Sequence, residues 1–156
     1  MATPTDASAM ERELVLRRRL AAPRELVFKA FTDPEHLMRW WGPHHFTAPE
    51  CAVDLRVGGA LRIVMEGPNG MRFPMTGIID ELEAPERFAY SFETGAVEGH
   101  PALRGRNAIR LEAVGLETEL TVTARAEGLL PEAAMMLAGM QEGWTQSLDK
   151  LASFLA

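Results

Sequence analysis

Residues 131–156, PEAAMMLAGMQEGWTQSLDKLASFLA, decide how the rest of the chain is read. Steps of three and four put Met136, Met140, Trp144, Leu148, Leu151 and Leu155 on one stripe. Glu132, Glu142, Gln146, Asp149 and Lys150 fall on the opposite side. This spacing predicts one continuous amphipathic helix from Pro131 to Ala156. At about 1.5 Å per residue it spans about 36 Å, the width of a small domain. An apolar stripe of that length needs a surface to cover it.

The segments before it supply that surface, because their hydrophobic period is two. Cys51, Val53, Leu55 and Val57 alternate with Glu50, Ala52, Asp54 and Arg56. Gly58-Gly59 then turns the chain into Leu61, Ile63 and Met65. Gly67-Pro68-Asn69-Gly70 is a hairpin signal, since Asn-Gly tolerates the positive φ angles of a tight turn. Met71, Phe73, Met75, Gly77 and Ile79 continue the alternation, with Pro74 predicting an edge or a bulge. Ala84-Pro85-Glu86 turns again, and Phe88, Tyr90 and Phe92 share one face. Residues 95–106, with three glycines, Pro101 and His100, are expected to form the longest loop. Ile109, Leu111 and Ala113, then Leu120, Val122 and Ala124, complete the strands. Strands joined by tight turns are antiparallel, and a sheet apolar on one face needs a cover that the terminal helix is long enough to give.

Ahead of the sheet, Leu14, Leu16 and Leu20 alternate with Glu13, Arg17 and Arg19 in a first strand, and the run Arg17-Arg18-Arg19 reads as a solvated or ion-paired strand face. Pro23 suits the start of a helix whose buried side is Leu26, Val27, Ala30 and Phe31. Thr32 or Asp33 can cap a second short helix, with Pro34 in its first turn and Leu37, Met38 and Trp41 inward, ended by Gly42-Pro43. Residues 1–12 are small, polar and unpatterned, the signature of a flexible tail. Residues 13–156 then form a single domain, which the total of 156 residues allows. The expected fold is α+β: a curved antiparallel sheet of about six or seven strands around a long C-terminal helix, with two short helices after the first strand.

The totals narrow the function. A net charge of −6 points away from nucleic acid. No apolar run reaches the length that spans a membrane. With Cys51 the lone cysteine, no internal disulfide forms, and a reducing, cytoplasmic setting is expected.

Several separated motifs carry a family resemblance. Ala22-Pro23-Arg24-Glu25-Leu26-Val27-Phe28 followed by Ala30-Phe31-Thr32-Asp33-Pro34 resembles the opening of the SRPBCC superfamily, the START and Bet v 1-like helix-grip proteins. Trp40-Trp41-Gly42-Pro43, Asp54-Leu55-Arg56-Val57-Gly58-Gly59, Gly67-Pro68-Asn69-Gly70, Pro85-Glu86-Arg87-Phe88 and Gly143-Trp144-Thr145-Gln146-Ser147-Leu148 resemble one branch. That branch is named after the C-terminal domain of the activator of heat-shock protein 90 ATPase. The resemblance implies a cavity between the long helix and the sheet, often able to hold an apolar ligand. A chaperone-interaction or stress-response role is an alternative it implies, although the chain lacks the activator's Asn-x-Trp-His-Trp motif.

Nine methionines are an unusual number, and thioethers pack irregular spaces and adapt to varied ligands. Trp41, Phe46, Met65, Phe73, Met75, Tyr90, Phe92, Met136, Met140 and Trp144 are therefore the expected ligand-binding set, against the plainer reading that they only fill the core. Trp144 is the expected structural anchor. Catalytic signals are sparse. His44 and His45 diverge as neighbours and His36 and His100 stand apart, so no metal site and no cofactor are expected. Cys51 in an alternating strand reads as a small buried hydrophobe, and Asp80, Glu81, Glu83 and Glu86 as a solvated face. The expected function is binding of a small hydrophobic or amphipathic molecule. The alternative is a cyclase- or hydrolase-type enzyme with a histidine or carboxylate at the cavity mouth. A homodimer is compatible with the sequence, which specifies no surface for it.

Overall fold

The alternating segments become one seven-stranded antiparallel sheet in the order β1-β7-β6-β5-β4-β3-β2. The computed structural model describes residues 10–156. Its strands are β1 (Glu11–Leu20), β2 (Thr47–Val53), β3 (Ala60–Glu66), β4 (Arg72–Glu83), β5 (Arg87–Thr94), β6 (Leu103–Val114) and β7 (Glu117–Gly128). The helices are α1 (Arg24–Thr32), α2 (Pro34–Trp40), α3 (Ala133–Ala138) and α4 (Met140–Leu155). Glu11 and Arg12 thus belong to β1 rather than to a tail, and Met10 packs partly buried against the core; residues 1–9 of the expected tail lie outside the described residues.

The inward parity is that of the sequence pattern. Leu61, Ile63, Ile79, Phe88, Tyr90, Ile109, Leu111, Leu120, Val122 and Ala124 are all buried. The hairpin at Gly67–Gly70 closes with Gly70 N donating to Gly67 O at 3.0 Å and Gly70 at φ 81°. Pro74 lies outside the bulge between Ile79 and Glu81, on a stretch of β4 that has β3 on one side and no strand on the other, the edge that its sequence predicts. It is tolerated because β5 pairing ends at Met75↔Thr94, so no β5 partner awaits its missing N–H. Its carbonyl instead accepts from Thr94 Oγ1 at 2.8 Å.

Two strand boundaries differ from expectation. β2 stops at Val53, and Leu55 and Val57 are exposed in the turn to β3. That turn is tight: a Cβ on Gly59 would sit 1.9 Å from Asp54 O. β6 begins at Leu103, inside the predicted loop, and pairs Leu103 with Thr94 and Gly128. Gly105 is a strand glycine, not a loop one. A Cβ there would meet Arg125 O at 2.0 Å and the Phe92 ring at 2.9 Å.

In α1 the buried residues include Val27, Phe28, Ala30 and Phe31, while Leu26 sits exposed at the margin of the stripe. Asp33 caps α2 by accepting from Glu35 N at 2.9 Å. Leu37 and Trp40 face inward and Met38 does not. Trp41 has already left the helix, at φ −60° and ψ 138°, so helical projection no longer places it. Trp40 is 1% exposed, donates Nε1 to Ala30 O at 2.8 Å, and meets the Phe31 ring edge-on at 5.0 Å. The structural anchor is therefore Trp40; Trp144 is only partly buried.

The terminal helix is two pieces. Gly139, at φ −90° and ψ 0°, separates α3, of 6 residues, from α4, of 16 residues and about 24 Å. Arg12 of β1 serves the interruption. Its guanidinium donates to Leu137 O at 2.8 Å, to Ala138 O at 3.3 Å and to Gln141 Oε1 at 3.3 Å, so carbonyls freed at the break are not left unpaired. Arg18 ties the same strand to α4 through Asp149 at 2.9 Å and Thr145 O at 3.2 Å. Leu148 and Leu151 of α4 are fully buried in the core.

Candidate functional site

Burial along the inner face of the sheet is graded. Leu61 and Ile63 are buried and Met65 is partly open; Ile79 is buried and Met75 and Phe73 are partly open. The helical cover follows the same division. Leu148 and Leu151 are 0% exposed, whereas Trp144, Met140 and Met136 are partly exposed. Of the ten residues named from the sequence, Tyr90 and Phe92 are buried. The other eight, Trp41, Phe46, Met65, Phe73, Met75, Met136, Met140 and Trp144, are all partly buried.

Contacts join them in groups. Trp41 meets Trp144 edge-on at 5.6 Å and Trp40 at 5.4 Å. Phe46 and Phe73 lie 6.0 Å apart, and Tyr90 and Phe92 6.3 Å apart. Two glycines seat neighbouring methionines. Gly42, at φ 103°, leaves a position 3.3 Å from Met65 Sδ and 3.4 Å from Phe46 Cβ where a side chain would stand. Gly95, at φ 71°, leaves one only 2.9 Å from Met136 Sδ and Cε. Both the backbone conformation and the space call for glycine. Trp41, Met75, Met136, Met140 and Trp144 all pack against the buried core without being sealed by it.

The polar side of α4 fastens this region. Lys150 Nζ donates to Phe46 O at 3.0 Å and Pro43 O at 3.4 Å, and burial lowers its pKa. Gln146 Oε1 accepts from His44 N at 3.0 Å. The loop carrying Phe46 is thus tied to the helix carrying Trp144.

The titratable groups are elsewhere. His44 and His45 are exposed, as is His100. His36 is partly buried against the Phe154 ring at 5.3 Å. Burial pushes the Cys51 thiol up to about 11, away from a nucleophilic thiolate. Asp80 and Glu81 pair with Arg106, Glu83 with Arg87 and Glu86 with Arg24, as expected of a solvated face. Among the described residues no three His, Cys, Asp or Glu side chains gather as metal ligands.

One interior polar group has no counterpart in the sequence reading. Asn107, 4% exposed, projects inward from β6 and donates Nδ2 to Tyr90 Oη at 3.1 Å; its Oδ1 has no partner. The signal was present: Asn107 has the inward parity of Ile109 and Leu111.

A separate concavity lies on the other face of the sheet. An open groove of about 1140 Å³ runs over Arg62, Thr76, Ile78, Ser91, Arg106 and Arg125. Its arginines are largely spent on carboxylates, Arg62 on Glu50, Arg106 on Asp80 and Arg104 on Glu127. Of the ten sequence-derived residues only Phe92 borders it. The groove is open, its charged side chains are largely ion-paired, and Gly77 and Gly105 in it allow close strand approach, since a Cβ there would meet Ser91 O at 2.5 Å and Arg125 O at 2.0 Å.

Residues 21–156 match the family model described as activator of Hsp90 ATPase homolog 1-like protein. The chain belongs to that family. Similar solved structures of this kind come from several bacteria. A Nitrosomonas europaea protein is 30% identical, with 95% of each chain covered and a TM-score of 0.74. A Chromobacterium violaceum protein is 29% identical over 92% of this chain and 96% of its own, with a TM-score of 0.75. A Silicibacter pomeroyi protein of the family is 26% identical over 91% of this chain and 96% of its own, also at 0.75. No curated protein matches the chain. The helix-grip fold expected from the sequence is the fold of these relatives. No helix among the described residues is long and apolar enough to cross a membrane.

Proposed function

We propose that this family member binds a small hydrophobic or amphipathic molecule at the open end of its interior, between α3–α4 and the inner face of the sheet. One observation carries the reading: eight aromatic and methionine side chains are left partly exposed, Trp41 against Trp144 and Phe46 against Phe73 among them, while Leu61, Ile63, Ile79, Leu148 and Leu151 of the same strands and helix are buried. Scattered apolar exposure is ordinary, but an apolar surface gathered on the concave side of a fold is the setting of ligand sites. Methionine supports it, because an unbranched thioether repacks around guests of different shape. The superfamily commonly binds hydrophobic ligands in this place, which adds weight from fold to the reading from residues.

Displacement of a lipophilic dye, N-phenyl-1-naphthylamine, by a panel of apolar and amphipathic compounds tests it. Saturable binding of one dye per chain, competed by panel members, is the expected result. An absence of saturable binding across the panel, with native mass spectrometry showing only bare chain, would remove the proposal.

A further inference from the structure

The described interior holds four buried polar side chains, and three of them are satisfied locally. Thr32 Oγ1 donates to Phe28 O at 2.9 Å, Thr118 Oγ1 to Ala22 O at 2.7 Å, and Ser147 Oγ to Gly143 O at 2.9 Å. Asn107 is the exception. Its amide nitrogen reaches Tyr90 Oη, its carbonyl oxygen reaches nothing, and the buried Tyr90 hydroxyl still has a proton to donate. The pair therefore offers one free acceptor and one free donor, side by side, in an apolar surround. In the sheet register Asn107 stands opposite Tyr90 on β5 and Ala124 on β7, so one flank is only a methyl group. Phe92, two residues along the inner face from Tyr90, continues toward the strand end where Met75 pairs with Thr94. Buried polar atoms are normally matched, so an unmatched pair on the inner wall points to a matching group on whatever occupies the interior.

We propose that Asn107 and Tyr90 are the polar end of the ligand site and recognise a hydroxyl group on an otherwise apolar ligand. This rests on the binding role proposed above. A hydroxyl is the one common group that does both jobs at a single atom: its proton goes to Asn107 Oδ1 and its oxygen accepts from Tyr90 Oη–H. A carboxylate would meet no buried cation, since the buried polar side chains among the described residues are Thr32, Asn107, Thr118 and Ser147. Burial also raises the Tyr90 pKa, which keeps its proton available as a donor. The expected ligand is a long-chain or polycyclic alcohol rather than a fatty acid, an ether or a plain hydrocarbon.

The test compares 1-decanol with decyl methyl ether as displacers of N-phenyl-1-naphthylamine from the wild-type chain, Asn107→Leu and Tyr90→Phe. The ether has the same apolar tail and can accept but not donate. Water holds the alcohol more strongly than the ether, so an apolar site alone favours the ether. The wild type is expected to bind decanol about tenfold more tightly than the ether, the worth of one matched hydrogen bond. Asn107→Leu, which removes the acceptor that only the alcohol can use, is expected to bring that ratio to one or below; Tyr90→Phe removes a donor that both probes accept from, so it is expected to weaken both and leave the preference in place, with the dye affinity of each variant measured directly and its far-ultraviolet circular dichroism reporting the fold. Equal binding of the two probes to the wild type, or a preference unchanged in a folded Asn107→Leu, overturns the hydroxyl site and leaves general apolar binding standing. Failure of the dye itself to bind overturns both.

Discussion

The two ends of one interior are built from the same kinds of element and finished differently. At one end α4 places Leu148 and Leu151 against α1, α2 and the sheet, and Trp40, Phe31 and Phe88 are all at most 2% exposed. Sealed interiors of branched and aromatic side chains pack tightly and hold their rotamers as a rule. At the other end the same strands present Met65, Met75 and Phe73, the helix presents Met136, Met140 and Trp144, and none is sealed. The helix changes character at the same place, since Gly139 interrupts it one residue before Met140. Stability is concentrated at the leucine end, and the capacity to adapt at the methionine end.

Substitutions can break that contrast. Trp40→Ala is expected to cost about 3–5 kcal/mol in denaturant unfolding, and Leu148→Ala about 2–5 kcal/mol, with dye affinity unchanged in whatever fraction stays folded. Trp144→Ala and Met140→Ala are expected to cost only about 1–2 kcal/mol, because part of each side chain is already in water, yet to weaken dye binding roughly tenfold. If Trp144→Ala proves as damaging as Trp40→Ala, the open end is a core like the other. Gly139→Ala sharpens the comparison from the backbone side. Its φ is negative and the nearest heavy atom to an added Cβ is Met135 O at 3.6 Å, so the variant is expected to gain about 0.4–1 kcal/mol from a less flexible unfolded chain.

The smallest expected effect lies on the outer face. Glu50 accepts a hydrogen bond from Arg62 at 2.8 Å and pairs with Arg72 at 2.7 Å, and the Arg62 hydrogen bond above all holds its carboxyl below the usual 4.5. A depressed folded value means that its contribution is complete above pH 4.5 and disappears as pH falls through the lower folded value. NMR titration of the Glu50 carboxyl should show a midpoint under 4.5 that returns toward it in Arg62→Gln. Because the pair is exposed, the thermal midpoint of that variant at pH 7 should barely move.

How much of this was legible follows from what each signal measures. Period-two alternation reports which face of a strand is buried, and it located Leu61, Ile63, Phe88, Ile109 and Val122 correctly. It says nothing about whether a facing element covers that surface, so Tyr90 and Met75, with equal standing in the sequence, differ in the fold. Glycine is ambiguous for a related reason. Gly105 serves a close strand approach in a stretch whose composition is that of a loop; Gly139 interrupts a helix whose apolar stripe runs on through it. Periodicity puts Trp41 inward and passes over Trp40 because the helix ends between them, and boundaries are set by capping and packing more than by periodicity. Composition and parity single out the partly buried aromatic and methionine side chains of the proposed site, and Tyr90 with them. They do not single out Asn107, because inward parity marks apolar residues and an amide breaks that pattern.

The nine methionines provide the most direct measurement. With ¹³C-methyl-methionine labelling, titration with 1-decanol should shift the Met65, Met75, Met136 and Met140 methyls together and saturably. The exposed methyls of Met38 and Met135 should stay in place. Shifts confined to Met38 and Met135, or no saturable shift at any methionine, would contradict the account that the open end of this interior is a binding site.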